Sequence, residues 1–83
     1  MTTGVQFTGN LAPSETRRWF THSWNPALHV VWYMIPTSVA SGGPQVDWDV
    51  AVERPSATTC TYWITVKNLT TNPVTFEGRY AIL

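Results

Sequence analysis

Cys60-Thr61-Tyr62-Trp63-Ile64-Thr65-Val66-Lys67 separates into two sets of alternate residues. Successive side chains of a strand point to opposite faces. Cys60, Tyr62, Ile64 and Val66 therefore face inward, and Thr61, Trp63, Thr65 and Lys67 face out. The flanking stretches keep the same period. Val46, Trp48, Val50 and Val52 point one way, with Asp47, Asp49, Ala51 and Glu53 opposed. Beyond the Asn68–Pro73 turn, Val74, Phe76, Gly78, Tyr80 and Ile82 face in, while Thr75, Glu77, Arg79 and Ala81 face out. β-Branched and aromatic residues dominate these runs, as half-buried pleated surfaces favour. The pattern predicts burial of Val50, Val52, Ile64, Val66, Phe76 and Tyr80, and access to Asp47, Asp49, Thr65 and Glu77.

Three more β-segments precede these. Val5–Leu11 carries Val5, Phe7 and Leu11 on one face. Glu15–His22 follows a turn built on Pro13, and Leu28–Ile35 follows Asn25-Pro26-Ala27 and is stopped by Pro36. The loop 36–45 contains Ser41-Gly42-Gly43-Pro44 and is too polar and glycine-rich for regular structure. Six short strands with turn signals about every ten residues, and no helical period, predict one all-β domain over residues 1–83: a small antiparallel six-stranded β-sandwich or barrel.

Leu28–Ile35 is apolar on both faces. Leu28, Val30, Trp32 and Met34 form one, and His29, Val31, Tyr33 and Ile35 form the other. A single core satisfies the first. The second needs a cover, which is another sheet, a subunit or a ligand. An exposed face of Val31, Tyr33 and Ile35 would invite aggregation, so the expectation is a homo-oligomer, a dimer or trimer ahead of larger rings.

Composition narrows the function classes. Charged residues make up 12% of the 83 positions and cancel to zero net charge, while aromatics reach 13% with five tryptophans. Such a surface repels little and offers stacking area, which favours self-association or sugar binding. Arg17-Arg18 is the one basic pair, too little to neutralise a phosphate backbone, so no nucleic-acid role is expected. No stretch approaches the ~20 apolar residues of a membrane span. Cys60 is the only cysteine, which excludes an intrachain disulfide. The N-terminus has no basic or apolar signal region, leaving a cytosolic protein or a mature secreted domain, with the second favoured. Asn68-Leu69-Thr70 is a formal glycosylation sequon.

Phe7-Thr8-Gly9-Asn10-Leu11-Ala12-Pro13-Ser14-Glu15-Thr16, followed by Arg18-Trp19-Phe20-Thr21, resembles the opening of bacterial pre-peptidase C-terminal type domains. Val46-Asp47-Trp48-Asp49-Val50 is similar to that family's Asp-containing strand, and Tyr62-Trp63-Ile64-Thr65-Val66-Lys67-Asn68 to its Tyr-Tyr-x-x-Val-x-Asn strand. The third strand is more aromatic than the family pattern, and the loop 36–45 departs from it. The resemblance implies a non-catalytic β-sandwich module associated with carbohydrate.

Asp47 and Asp49 share a strand face about 7 Å apart, from a ~3.4 Å rise per residue, and Glu53 extends the row. Such carboxylates serve as acid and base or help hold Ca²⁺, which wants six or more oxygens. On an exposed strand they pair with Arg54, Lys67 or Arg79 for ~0–1 kcal/mol each. His22 and His29 have no third ligand at a zinc spacing, and no nucleophile elbow, phosphate loop or Cys-x-x-Cys occurs. The expectation is a protein without catalytic residues, metal or cofactor. Candidate ligand-binding residues are Trp63 among outward threonines, Trp19 beside Arg18, Trp24 in a loop, and His29 and Tyr33 on the second face of the third strand. Exposed rings stack on sugars or on partner aromatics. The leading reading is a lectin-like module for carbohydrate or another surface ligand. The alternative is a structural assembly protein with an aromatic subunit interface. A small hydrolase using Asp47, Asp49 and a histidine is a third, weaker reading.

Overall fold

The structure is a computed structural model describing Met1 to Leu83. It contains β1 (Thr2–Leu11), β2 (Thr16–Trp24), β3 (Val30–Pro36), β4 (Val46–Glu53), β5 (Cys60–Asn68) and β6 (Val74–Ile82), with no helix. Two three-stranded sheets form, in the orders β1-β6-β3 and β2-β5-β4, and all four pairings are antiparallel. Only the β4–β5 connection stays within one sheet. Every other turn carries the chain across, and the sheets pack as an open sandwich instead of a closed barrel. The body is a slab of 43 × 24 × 16 Å.

The inward faces meet as the alternation requires. Leu11, Met34, Ile64, Val66 and Phe76 are buried, with Trp32 and Tyr62 at the margin of the same cluster. Aromatic rings fill the space between sheets, and three of them lie across glycines. Gly4 pairs with Tyr80, Phe7 with Gly78, and Gly9 with Phe76. A Cβ on Gly78 would stand 2.5 Å from the Phe7 ring, and one on Gly9 would stand 2.8 Å from both Phe76 and Trp19. Gly78, an inward residue with no side chain to bury, is thus the seat of a phenyl ring. Trp32 Nε1 is buried with no acceptor, an omission that costs ~1–3 kcal/mol.

Two bulges reset which residues face in. Gln6 is the extra residue of β1, between the Val5–Arg79 and Phe7–Gly78 pairs. Val5, expected inward, therefore turns to solvent, and the Gln6 amide donates to Thr21 Oγ1 of the other sheet at 3.1 Å. In β2 the register slips between Thr21 and Trp24, and Ser23 adopts a φ of 67°. The slip turns Trp24 inward, where its indole N–H donates to the same Thr21 hydroxyl at 3.0 Å.

Other expectations need correction. Val50 and Val52 are 39% and 64% exposed. They sit on the inward side of edge strand β4, but the rings opposite lean toward the middle. Trp32 packs on Tyr62 and Tyr80, and the end of β4 stays uncovered. Tyr80, Thr65 and Glu77 are half-buried. The third strand begins at Val30, and Leu28 belongs to the preceding turn, whose N–H bonds the Asn25 carbonyl. Pro36 closes β3 as its last residue and does not lie outside it, because an edge strand can omit an outward N–H. Asn68, the sequon residue, is completely buried. Its amide donates to the Ala12 and Asn72 carbonyls at 3.1 and 2.7 Å, and its Oδ1 accepts from the Thr70 N–H and hydroxyl. That nitrogen clamps two turns together and is closed to glycan in the folded state.

Burial raises the Tyr62 pKa from its usual 10.0, with a smaller contribution from Cys60. The unfolded phenol ionises first, so this contribution to stability is intact below pH 10 and is lost as pH rises through the higher folded value. Chemical denaturation across pH 9 to 12 should show that decline, and Tyr62→Phe should flatten it. Ile64→Ala should cost ~2–5 kcal/mol, whereas the exposed Val52→Ala should stay within ~0.5 kcal/mol. Equal losses in urea melts would contradict the uncovered end of β4. Gly78→Ala should be as damaging as a core truncation, because the backbone-bound methyl would displace Phe7.

Candidate binding face

The outward side of the β2-β5-β4 sheet is laid out in cross-strand rows. Phe20 pairs with Trp63, and Trp63 with Ala51; Arg18 pairs with Thr65, and Thr65 with Asp49. Facing follows from one constraint. Trp19 and Phe20 are consecutive, so when Trp19 goes inward Phe20 must go out. Phe20 is 60% exposed, and its ring centroid lies 5.1 Å from that of the half-buried Trp63, with 30° between planes. His22 extends the stripe at 6.2 Å from Phe20 and the same tilt.

Polar groups fix and frame these rings. Trp63 Nε1–H donates to Glu53 Oε1 at 2.8 Å, which locks the indole plane from the neighbouring strand. The Arg18 guanidinium lies 5.9 Å from the Trp63 ring, and its Nε donates to Thr65 Oγ1 at 3.3 Å. Ala51 leaves the third side of the indole low. The result is an apolar strip of tilted, mutually packed rings bordered by a cation, a carboxylate and an imidazole. Aromatic strips of this kind offer ring edges and a partly open face to ring-shaped ligands, with rim groups taking hydrogen bonds.

Of the five candidates read from the sequence, only Trp63 stands on this strip. Trp19 and Trp24 are not outward. Trp19 stacks on Phe7 at 5.7 Å and meets Phe76 edge-on, with the Arg17 guanidinium over its exposed side. Trp24 meets Trp32, Tyr62 and Tyr80 edge-on between the sheets. His29 lies in the exposed turn before β3, where its carbonyl accepts the Leu83 N–H. Tyr33 is 52% exposed on the outward side of β3, and its ring reaches the edge to meet Trp48. Phe20 and His22 were missed. The adjacency of Trp19 and Phe20 was the signal, since a strand cannot bury both.

The largest hollow lies on the other sheet. Thr3, Val5, Val31, Tyr33, Arg79 and Ala81 surround a trough of about 670 Å³. Its walls are mainly apolar, with Trp32, Tyr33 and Tyr80 beside the aliphatic residues, and its one charge, Arg79, is already paired with Glu77 at 2.8 Å. It lacks the converging polar groups of the Trp63 strip. The ion pairs expected for the β4 acids do not form. Arg79 turns to Glu77, Arg54 donates to the Ala57 carbonyl, and Glu53 takes the Trp63 indole. Asp47 and Asp49 stay exposed with no ion-pair partner. His22 Nδ1 lies 2.9 Å from Ser23 Oγ and meets no carboxylate.

Comparison with protein-family models, curated proteins and solved structures yields no match.

Proposed function

We propose that the protein is a non-catalytic binding module that takes carbohydrate rings on the Phe20–Trp63 strip, working as a homo-oligomer. The observation that carries this reading is the outward ring pair of exposed Phe20 and half-buried Trp63, whose indole is held by Glu53. Sugars present apolar C–H faces to such rings and hydroxyls to the rim, here Arg18, Asp49 and His22. The neutral, charge-poor surface suits an uncharged ligand. The resemblance to pre-peptidase C-terminal type domains points the same way. The assembly reading draws its own support from Val31, 51% exposed, together with Tyr33, Val50 and Val52. Val31 and Tyr33 lie two apart on the outward side of β3, and Val50 and Val52 two apart on β4, so each pair is a local apolar stretch that an interface would cover.

Titration with neutral oligosaccharides should shift tryptophan emission, with little dependence on salt because the contact is stacking. Trp63→Ala and Phe20→Ala should each weaken binding at least about tenfold, the ~1.4 kcal/mol of a modest ring contact. Trp32→Ala should instead unfold the domain at lower denaturant, losing ~3–5 kcal/mol. A broad glycan panel that leaves the wild-type emission unmoved would remove the carbohydrate reading.

A further inference from the structure

The two edges of the β2-β5-β4 sheet carry opposite charge in the same row. Arg18 stands on edge strand β2 and Asp49 on edge strand β4, both level with Thr65 of β5. On the inward side of the same sheet, Trp19 and Val50 are both level with Ile64. β2 and β4 are each antiparallel to β5, so they run parallel to one another. A second copy translated sideways by three strands would therefore lay its β2 parallel to β4 with no change of row.

We infer that the protein self-associates head to tail by this route, β4 of one copy pairing with β2 of the next to continue the sheet. The row at Asp49 then receives Arg18 of the next copy, and Ala51 receives the Phe20 ring. The uncovered Val50 gains Trp19 of the next copy as its neighbour, and Val52 gains Thr21. Self-association is already part of the proposed function; this contact specifies its surface, on the same sheet face as the ring strip and sharing Arg18 and Asp49 with its rim.

Backbone phase permits the pairing. Thr65 directs its N–H and C=O to one side only, as every residue of an antiparallel ladder does. Of Arg18 and Asp49, one therefore spends its backbone groups on Thr65, and the other presents them at its open edge. Parallel pairing at zero offset needs that combination, since one residue of each facing pair bonds across and the other bonds away. No strand need slide to make the hydrogen bonds.

The second sheet agrees. β3 and β4 share one side of the sandwich, where Tyr33 meets Trp48. β1 and β2 share the other, where Phe7 stacks on Trp19 and Gln6 bonds Thr21. Translation that joins β4 to β2 also brings β3 beside β1. Tyr33 and Val5 occupy one row through Arg79, and Val31 and Thr3 another through Ala81. Exposed apolar residues on β3 thus fall next to exposed residues of β1 in the next copy.

Charge disfavours the competing arrangement. A two-fold β4–β4 contact centred on Val50 would set Asp47 against Glu53, like against like. A β2–β2 contact would gather Arg17 and Arg18 of both copies. Each edge repels itself and attracts the other, which is how charged edges select a partner. The contact is heterologous, so it propagates, into a ring where the rotation per copy closes and into a filament where it does not. Three strands at ~4.8 Å give a repeat of ~14 Å per copy.

Sedimentation velocity of wild type and two single variants tests this. Both substitutions lie on exposed strand positions, and far-UV circular dichroism with a thermal melt would establish that each variant is folded. Asp49→Arg and Arg18→Asp should each weaken association at least tenfold, leaving mostly monomer where wild type is assembled. An equimolar mixture of the two variants should reassemble, because Arg at 49 meets Asp at 18, and Asp49 meets Arg18, in alternating copies. The double variant with both charges exchanged should assemble alone. A wild type that is monomeric at 100 µM would overturn self-association altogether. An assembled wild type indifferent to either substitution, or variants that stay apart when mixed, would overturn this edge contact while leaving the oligomer and the sugar strip standing.

Discussion

Rings seated over glycines join β1 to β6 and fill the space between the two sheets. Tyr80 over Gly4, Phe7 over Gly78 and Phe76 over Gly9 are cross-strand pairs in which one member supplies the volume and the other the vacancy. Three strands a side give little width for a core, and only 13 of 83 residues are buried. Aliphatic pairs would leave such a thin slab short of contact. Flat rings laid across bare backbone bring the most buried carbon per residue. The remaining inter-sheet features, from the Phe7–Trp19 stack to the Trp24–Trp32–Tyr80 cluster, follow from where those rings lie.

That solution has a consequence at the periphery. Rings drawn to the middle leave the end of β4 thin, and Val50 and Val52 open to water. The same alternation that sends Trp19 inward sends Phe20 out, where it meets Trp63. The candidate ligand strip and the candidate self-association edge are therefore by-products of one packing choice. They also lie on one sheet, so copies joined edge to edge would repeat the Phe20–Trp63–Ala51 row. A ligand with several sugar units would then meet several strips at once, with the gain in avidity that linkage brings.

Turn chemistry completes the frame. Asn68, fully enclosed, spends its amide on the β1–β2 and β5–β6 turns and its carbonyl on Thr70. A buried amide is tolerable only when its donors and acceptor are used. Here they fasten together two chain reversals that pass from sheet to sheet, at the end of the sandwich opposite the Trp24 cluster.

Strand identity, the inward set of β5 and β6 and the absence of helix were legible in the sequence, because a two-residue period is written locally. The facing of Val5 and Trp24 was not. Each depends on one extra residue, Gln6 or the Ser23 region, whose effect is to invert everything on one side of it. Trp63 was legible as outward, but its companions Phe20 and His22 were hidden by reading Trp19 as the exposed member of the Trp19-Phe20 pair. Whether a β4 valine is covered is decided by the opposite sheet, and no local pattern reports how far Trp32 leans. The sequence by itself determined six strands and their alternating faces, since backbone pleat and side-chain polarity are properties of neighbouring residues. Only the tertiary structure decided which faces meet, which edges stay open and which rings stand together, because those depend on bulges and on packing between residues dozens of positions apart.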